Sequence, residues 1–244
     1  MRVLGVIPAR MGATRFPGKP LVDLAGRPLV EWVHRAAVDS QVFDEVVVAT
    51  PDEEIAATVE SFGGTAVLTS AAHETGTDRV AEVARGRSDA EVVVNVQGDQ
   101  PFVTPVMLRE LVRPFQEPDP PEMSTLAAPL GSSGRDDPNT VKVVCNLRGD
   151  AMYFSRSQVP HPHVAGEGRW LHHIGLYGFR QDFLRTFAGL PSTPLERCEG
   201  LEQLRALEHG HAIRVMTVDG AIIEVNTPAD LADARDFALR ADRG

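Results

Sequence analysis

The chain has 244 residues, with 24 lysines and arginines against 34 aspartates and glutamates, and a formal net charge of −10. This acidity argues against a nucleic-acid partner but allows a small anionic ligand where basic residues are concentrated. Two cysteines are too few for a disulfide framework, and no run approaches the ~20 apolar residues of a membrane span. We therefore expect a cytoplasmic protein without membrane insertion.

Short valine-rich runs alternate with segments of helical period in the first hundred residues. The runs that predict buried strands are 3–7, 45–49, 65–68 and 91–96. Pro28 predicts the first turn of a helix, and Gly63-Gly64 predicts the end of the next helix. This alternation predicts an α/β fold with a Rossmann-like, doubly wound, mostly parallel sheet.

Three threonine–proline pairs carry the same helix-start signal. They are Thr50-Pro51, Thr104-Pro105 and Thr227-Pro228, and in each the threonine is the predicted N-cap. Thr50 and Glu53 also have the spacing of a capping box. The sequence therefore predicts helices that begin directly after each of the three pairs.

The middle and end of the chain have a different pattern. Residues 114–121 and 131–138 are rich in proline, glycine and polar residues, which is typical of loops. Strands are predicted at 141–144, 151–154, 174–179, 213–218 and 222–225, and helices at 197–209 and 228–240. The first three of these strands follow one another without long helices, which predicts a mixed β excursion over 124–180. We expect one domain over 1–244.

The loop after the first strand concentrates positive charge. Arg10, Arg15 and Lys19 lie within ten positions, and Gly12 and Gly18 let the backbone turn and expose its N–H groups. This combination predicts a triphosphate site. The loop is not a Walker A motif, because five residues separate the glycines and proline follows the lysine.

A candidate metal ligand lies where the strand at 91–96 ends. Gly98 permits the close approach of a ligand, and Asp99 follows it. Magnesium binds a few protein carboxylates together with phosphate oxygens, so Asp99 is the candidate ligand. An aspartate that only shapes a turn is the alternative.

A series of short motifs runs through the chain in order. They are Ile-Pro-Ala-Arg at 7–10, Thr-Arg-Phe-Pro-Gly-Lys-Pro-Leu at 14–21, His-Glu-Thr-Gly-Thr-Asp-Arg at 73–79, Asn-Val-Gln-Gly-Asp-Gln-Pro at 95–101, Pro-Asn-Thr-Val-Lys-Val-Val at 138–144, Tyr-Phe-Ser-Arg at 153–156, His-Ile-Gly-Leu-Tyr-Gly-Phe-Arg at 173–180, Pro-Leu-Glu at 194–196 and Leu-Glu-Gln-Leu-Arg at 201–205. Together they resemble the 3-deoxy-manno-octulosonate (Kdo) cytidylyltransferase family, also called the CMP-Kdo synthetases. The resemblance implies a magnesium-dependent transfer from CTP to Kdo, which yields CMP-Kdo and pyrophosphate for lipopolysaccharide biosynthesis.

The resemblance also assigns roles to individual residues. Arg10, Arg15, Lys19 and Asp99 would be catalytic, because the three cations neutralise the triphosphate and the charge on the leaving pyrophosphate. The residues matching the family's cytidine-binding stretches are Ala9, Arg10, Thr75, Gly76, Arg79 and Gln97. Those matching its sugar-binding stretches are Arg156, His173, Tyr177, Glu202 and Gln203. A homodimer is implied, and we expect its interface in the excursion at 124–180.

Structural roles are the alternative for several members of the sugar set. Arg156 and Arg205 could belong to ion pairs, and Tyr177 could be a core residue with a satisfied hydroxyl. His161, His163 and His172 could in principle form a zinc site, but they lack a nearby cysteine and a helical spacing.

One motif departs from the family pattern at a predicted metal ligand. The family has Val-Asp-Thr-Pro, whose aspartate is expected to bind magnesium beside Asp99, whereas this chain has Asn226 at that position. Gln100 likewise replaces a family glutamate. A neutral carbonyl still ligates magnesium, but we expect a weaker second ion or the use of another acid such as Glu224.

Two alternatives for the function stay open at this point. The substrate could be a different acid sugar, such as an amino-Kdo or a nonulosonate, since the first half of the chain serves only CTP; His173, Glu202 and Gln203 favour Kdo. A CTP-binding protein that has lost catalysis is supported by Asn226 alone.

Overall fold

The computed structural model describes residues 1–12, 16–131, 134–164, 169–220 and 223–241. The strands are β1 Val3–Pro8, β2 Asp23–Leu24, β3 Arg27–Pro28, β4 Glu45–Thr50, β5 Thr65–Leu68, β6 Val92–Asn95, β7 Met123–Leu130, β8 Lys142–Cys145, β9 Ala151–Ser155, β10 Trp170–Arg180 and β11 Ile213–Thr217. The helices are α1 Leu29–Asp39, α2 Glu53–Ser61, α3 Gly76–Arg85, α4 Pro105–Val112, α5 Gln181–Gly189, α6 Pro194–Glu199, α7 Leu204–Glu208 and α8 Pro228–Ala241. The chain divides into two compact units, one of Met1–Arg109 with Ile222–Gly244 and the other of Glu110–Ala221.

The first unit is built on parallel strands in the order β6-β1-β4-β5. β1 lies between β6 and β4, with Val6 opposite Asn95 on one side and Val47 on the other. Val6, Val47 and Val93 are completely buried. Continuous apolar runs of this kind are typical of strands covered on both faces, and the predicted parallel strands are confirmed.

The predicted helix starts are confirmed at two of the three threonine–proline pairs. Thr104 Oγ1 accepts a hydrogen bond from Met107 N, and Thr227 Oγ1 accepts one from Asp230 N. The prediction at Thr50 is wrong, because Thr50 pairs with Leu68 as the last residue of β4. Its hydroxyl accepts from the backbone N–H of Asp52, and α2 begins at Glu53.

The C-terminal segment belongs to the first unit. Val225, Leu231 and Ala234 pack with Leu24 and Leu29 in one apolar cluster. This packing holds residues 224–226 in the unit that contains β1 and β6. Within the described residues, no helix has the length and apolar character needed to cross a membrane.

The second unit is mainly antiparallel. β10 pairs antiparallel with β7 and β8, β8 pairs antiparallel with β9, and β11 joins β7 as a parallel neighbour. The predicted class, α/β with mostly parallel strands and a mixed excursion, is therefore confirmed. Strand β7 and helix α5 were not among the predicted elements.

Several predicted elements outside the first unit's sheet are wrong in detail. The predicted helix at 197–209 is two short helices, because Gly200 adopts a φ of +62° that ends α6. Residues 223–225 of the predicted strand at 222–225 are not in a strand, and Ile222 lies outside the described residues. A short 3-10 helix, Arg113–Gln116, runs into the predicted loop at 114–121. Pro28 precedes α1 as its N-cap and is not in its first turn.

Candidate active site

One pocket in the first unit collects the residues predicted to bind cytidine. Its lining consists of Pro8, Ala9, Arg10, Thr75, Gly76, Arg79 and Gln97. Apart from Pro8, these are the six residues of the predicted nucleotide set. The pocket lies where β1 and β6 end, as expected for a ligand site in a parallel sheet. That these residues bind a nucleotide stays a prediction.

Helix α3 begins at this pocket with a capping box. Thr75 Oγ1 accepts from Asp78 N at 3.1 Å, and Asp78 Oδ2 accepts from Thr75 N at 3.2 Å. A Cβ on Gly76 would lie 3.3 Å from Pro8 Cγ, so the helix start and the end of β1 are packed closely. The positive end of the helix dipole is thereby fixed at the pocket, where it favours an anion.

Two arginines add positive charge to the pocket. Arg79 is buried, and its Nη1 donates to Thr69 Oγ1 and to the Ser70 carbonyl oxygen. Burial lowers the pKa of Arg79, and the neighbouring charge of Arg10 lowers it further. An arginine remains protonated under such a shift, so the charge stays in place. Arg10 is exposed, and its Nη1 lies 3.5 Å from the Glu74 carbonyl oxygen.

Two backbone N–H groups donate hydrogen bonds at the ends of the basic loop. Met11 N donates to Asp52 Oδ2 at 2.8 Å, and Gly18 N donates to the Met11 carbonyl oxygen at 2.9 Å. Gly18 adopts a φ of +72°, a backbone conformation that residues with a Cβ rarely adopt. Arg15 lies outside the described residues. Lys19 directly follows Gly18, and its side chain lies at the end of β6.

Lys19 and Asp99 form an ion pair at that end. Lys19 Nζ donates to Asp99 Oδ2 at 2.9 Å, and the two side chains are 15% and 24% exposed. A Cβ on Gly98 would lie 2.9 Å from the Pro8 carbonyl oxygen, so only glycine lets this loop approach β1 so closely. Val225 N donates to the Asp99 carbonyl oxygen at 2.8 Å and so brings the C-terminal segment to the same place.

Glu224 lies beside this ion pair between two amide side chains. Its Oε1 accepts from Gln100 Nε2 at 3.0 Å, and its Oε2 accepts from Asn226 Nδ2 at 3.1 Å. Burial raises the pKa of Glu224 and Asp99 raises it further, whereas the two amide hydrogen bonds and Lys19 lower it. Gln100 is buried, and its Oε1 has no hydrogen-bond partner among the described residues.

This donor set fits a divalent cation that binds together with a nucleotide. Carboxylate and amide oxygens are hard ligands, and magnesium takes one or two carboxylates and completes its shell with phosphate oxygens and water. The described part of the chain holds no group of three or more His, Cys, Asp or Glu residues suited to a metal. The alternative of a zinc site at His161, His163 and His172 therefore gains no support.

In the second unit, His173 pairs with Ala127 just before β10 shifts its register against β7, between Ile174 and Tyr177. Burial lowers the pKa of His173 to about 3, so the ring is neutral at neutral pH. His173 Nε2 is 3.0 Å from Thr125 Oγ1, which is 2.8 Å from the Leu176 carbonyl oxygen. A proton on Nε2 donated to Thr125, with the Thr125 hydroxyl donating to Leu176, satisfies both groups.

Tyr177 and Gln203 continue this polar cluster. Tyr177 Oη donates to Gln203 Oε1 at 3.1 Å, and the rings of Tyr177 and His173 are 5.6 Å apart. Gln203 is buried, and its Nε2 finds no hydrogen-bond acceptor within the described residues. An orphaned buried donor calls for an oxygen from a ligand or water. The structure thus brings three members of the sugar set together, with Glu202 adjacent in the chain.

Arg156 of the same set is held by backbone oxygens. Its guanidinium donates to the carbonyl oxygens of Glu199 at 2.7 Å and Pro138 at 3.0 Å. The structural alternative for Arg156 therefore has direct support, although the bonds are to carbonyl groups and not to an acid. Arg205 does form the ion pair considered for it, with a bidentate contact to Glu196.

The sequence prediction gave no role to Lys142, which anchors the segment that holds Arg156. Lys142 is completely buried, and its Nζ donates to the carbonyl oxygens of Asp137 at 2.9 Å, Thr140 at 2.6 Å and Arg156 at 2.5 Å. Burial lowers the pKa of the ammonium group. A lysine inside an apolar strand was the available signal. Thr125 was also missed, since its partner His173 is distant in sequence.

Comparison with known proteins identifies similar chains along the whole length. A family model described as cytidylyltransferase matches residues 4–213. The 3-deoxy-manno-octulosonate cytidylyltransferase of Acaryochloris marina is 54% identical, with 97% of each chain covered. The protein of the same name from Myxococcus xanthus is 53% identical and covers 100% of this chain and 98% of its own length.

Two solved structures are also similar to this chain. The structure of CMP:2-keto-3-deoxy-manno-octonic acid synthetase complexed with CTP is 38% identical, covers 99% of this chain and 100% of its own, and superposes with a TM-score of 0.94. A 4-diphosphocytidyl-2C-methyl-D-erythritol synthase from Anaerococcus prevotii has a TM-score of 0.64 at 14% identity, covering 98% of this chain and 99% of its own. This second likeness concerns the fold alone.

Proposed function

Because the chain belongs to the family of 3-deoxy-manno-octulosonate cytidylyltransferases, we propose that it transfers the cytidylyl group of CTP to Kdo. The observation that carries this proposal is the pocket in which all six predicted nucleotide residues meet. In the reaction, the anomeric oxygen of Kdo forms a bond to the α-phosphorus of CTP. The bond between that phosphorus and the pyrophosphate oxygen breaks, and the hydroxyl proton is released.

The charges in the first unit suit the nucleotide. Arg10, Lys19 and the N-terminus of α3 would neutralise the triphosphate and the charge that grows on the departing pyrophosphate. The buried Arg79 would keep its charge at the pocket through its bonds to residues 69 and 70. Magnesium, held by Asp99 and the carbonyl of Asn226, would add positive charge at the phosphates when bound.

The polar cluster of the second unit suits the sugar. Kdo carries several hydroxyl groups, and the orphaned Nε2 of Gln203 is a donor that such a hydroxyl would accept from. Tyr177 fixes the amide of Gln203 in the orientation that leaves Nε2 available. Because the pKa of His173 is about 3, the neutral ring keeps this cluster from changing its charge near neutral pH.

Pyrophosphate release from CTP tests the activity. We expect release only when Kdo, CTP and magnesium are all present. Release with an amino-Kdo or a nonulosonate and not with Kdo would contradict the proposed substrate while keeping the reaction. CTP binding without release for any of these sugars would contradict catalysis altogether.

A pair of tyrosine variants tests the sugar cluster. Tyr177→Phe removes the donor that orients Gln203, so we expect a KM for Kdo raised roughly tenfold with the KM for CTP unchanged. Tyr153→Phe is the matched control, since the Tyr153 hydroxyl makes only a 3.4 Å contact with Glu199. Equal KM values for Kdo in the two variants would contradict the assignment.

We also propose that the enzyme is a cytoplasmic homodimer, with its interface in residues 124–180. Two apolar side chains in this range, Leu147 and Met152, are exposed on the β8–β9 hairpin. Light scattering coupled to size exclusion should give twice the mass of the chain. Met152→Asp should shift that mass toward the monomer, and a monomeric wild type would contradict the proposal.

A further inference from the structure

In the first unit of the fold, hydrogen bonds join the side chains of Gln100, Glu224 and Asn226 into one cluster. Gln100 and Asn226 stand where the resemblance implies acids, and both donate their amide hydrogens to the one carboxylate between them. An amide at either position stabilises Glu224, whereas a second carboxylate there would repel it. The two amides that replace family acids therefore both stabilise the charge of Glu224.

The geometry points to Glu224 as a carboxylate ligand of the cation that accompanies CTP, a role that rests on the proposed function. We propose that Glu224 joins Asp99 and the Asn226 carbonyl oxygen on this cation, and that the amide nitrogens of Gln100 and Asn226 position its two oxygens. An ionised carboxylate has about four acceptor positions, so two amide donors leave capacity for a cation on both oxygens.

Two further observations support this role. The Val225 N–H bond to the Asp99 carbonyl oxygen fixes Glu224 to the loop that carries Asp99, independently of any side chain. The buried Oε1 of Gln100 has no partner among the described residues, so an acceptor oxygen remains unsatisfied next to this carboxylate. An unsatisfied buried oxygen next to this carboxylate is a feature that a cation or its bound water would resolve.

The test measures how strongly manganese tightens CTP binding, without sugar or turnover. Isothermal titrations of CTP, with and without MnCl2, give the ratio of the two Kd values for each variant. We expect Glu224→Gln to reduce this ratio at least about tenfold, as the loss of one ligand should. Glu74→Gln is the matched control, because it removes one negative charge from an exposed residue that directly precedes Thr75 of the pocket, and it should leave the ratio unchanged.

The variant Asn226→Asp tests whether Glu224 is a ligand of the cation or a merely structural residue. Alone, it places a carboxylate where the amide nitrogen lies 3.1 Å from Glu224 Oε2, so we expect no gain in the ratio. In the double variant Glu224→Gln/Asn226→Asp, the new acid should restore the ratio to within about threefold of the wild type.

The outcomes separate this inference from the proposed function. A Glu224→Gln ratio within about twofold of the wild type would overturn it, and so would a loss that the double variant does not restore. The inference would also be overturned if the Kd of the wild type for CTP were the same with and without manganese. None of these results depends on Kdo, so pyrophosphate release with Kdo remains a separate measurement of the proposed activity.

Discussion

Gly98 offers the sharpest test of how the end of the sheet shapes the pocket. In Gly98→Ala the new Cβ would lie 2.9 Å from the Pro8 carbonyl oxygen, whereas ordinary contacts begin at 3.4 Å. The loop must therefore move away from β1 by about 0.5 Å, because the obstructing atom is backbone and cannot rotate away. Pro8 and Gln97 line the pocket and Asp99 follows directly, so this movement reaches the site.

The magnitude follows from overpacking. Forcing one methyl group into such a contact costs about 1–3 kcal/mol of unfolding free energy. A displacement of this size at a reacting centre lowers kcat/KM for CTP roughly ten- to a hundredfold. Urea denaturation and pyrophosphate release measure the two effects on the same protein preparation.

Gly189→Ala is the control for the substitution itself. Gly189 is the last residue of α5, and a Cβ there meets nothing within 4 Å. We expect unchanged activity and a stability equal to the wild type or higher by up to about 1 kcal/mol. The reasoning is refuted if Gly98→Ala keeps both its unfolding free energy within about 0.5 kcal/mol and its kcat/KM within about twofold of the wild type.

Three further predictions concern stability and binding. Because the pKa of His173 is about 3 in the fold and 6.5 ordinarily, the unfolded chain binds the extra proton, and stability falls as pH falls below about 6.5. In urea titrations the wild type should lose about 1.4 kcal/mol per pH unit more than His173→Gln between about pH 6 and 5, and equal slopes would contradict this. Lys142→Met leaves three carbonyl oxygens without their donor, so denaturation should show a loss of at least about 2 kcal/mol, and a variant as stable as the wild type would speak against it. Thr75→Ala should cost about 1 kcal/mol and raise the KM for CTP, while Thr75→Ser keeps both near the wild type; a serine variant as impaired as alanine would exclude the cap as the cause.

The first unit was predictable because its signals are local. A valine-rich strand buried on both faces is apolar without interruption, so β1, β4 and β6 were found from their composition. The caps at Thr104 and Thr227 act within three residues of themselves. Thr50 carries the same pair of residues, but pairing with β5 overrides that preference and keeps it extended.

The remainder depends on contacts between distant residues. β7 has the sequence Met-Ser-Thr-Leu-Ala-Ala-Pro-Leu, whose small residues carry little strand preference, and it becomes a strand by pairing with β10 and β11. The bond between Gln100 and Glu224 joins residues 124 positions apart, so the sequence could name Glu224 as an acid but not give its partners. The motifs named six pocket residues, and the fold adds Pro8, which lies in the first motif but was given no role there.

The burial of Lys142 affects how the lysine amines of the chain react with labelling reagents. The sequence has only two lysines, Lys19 and Lys142, and the other members of its 24 lysines and arginines are arginines. Lys142 is buried with its ammonium protons on three carbonyl oxygens, which shields it from acylating reagents. In the native protein an amine-directed label should therefore react with Lys19 and spare Lys142. Intact-mass spectrometry of the labelled protein would then follow the occupancy of the basic loop without any engineered reporter.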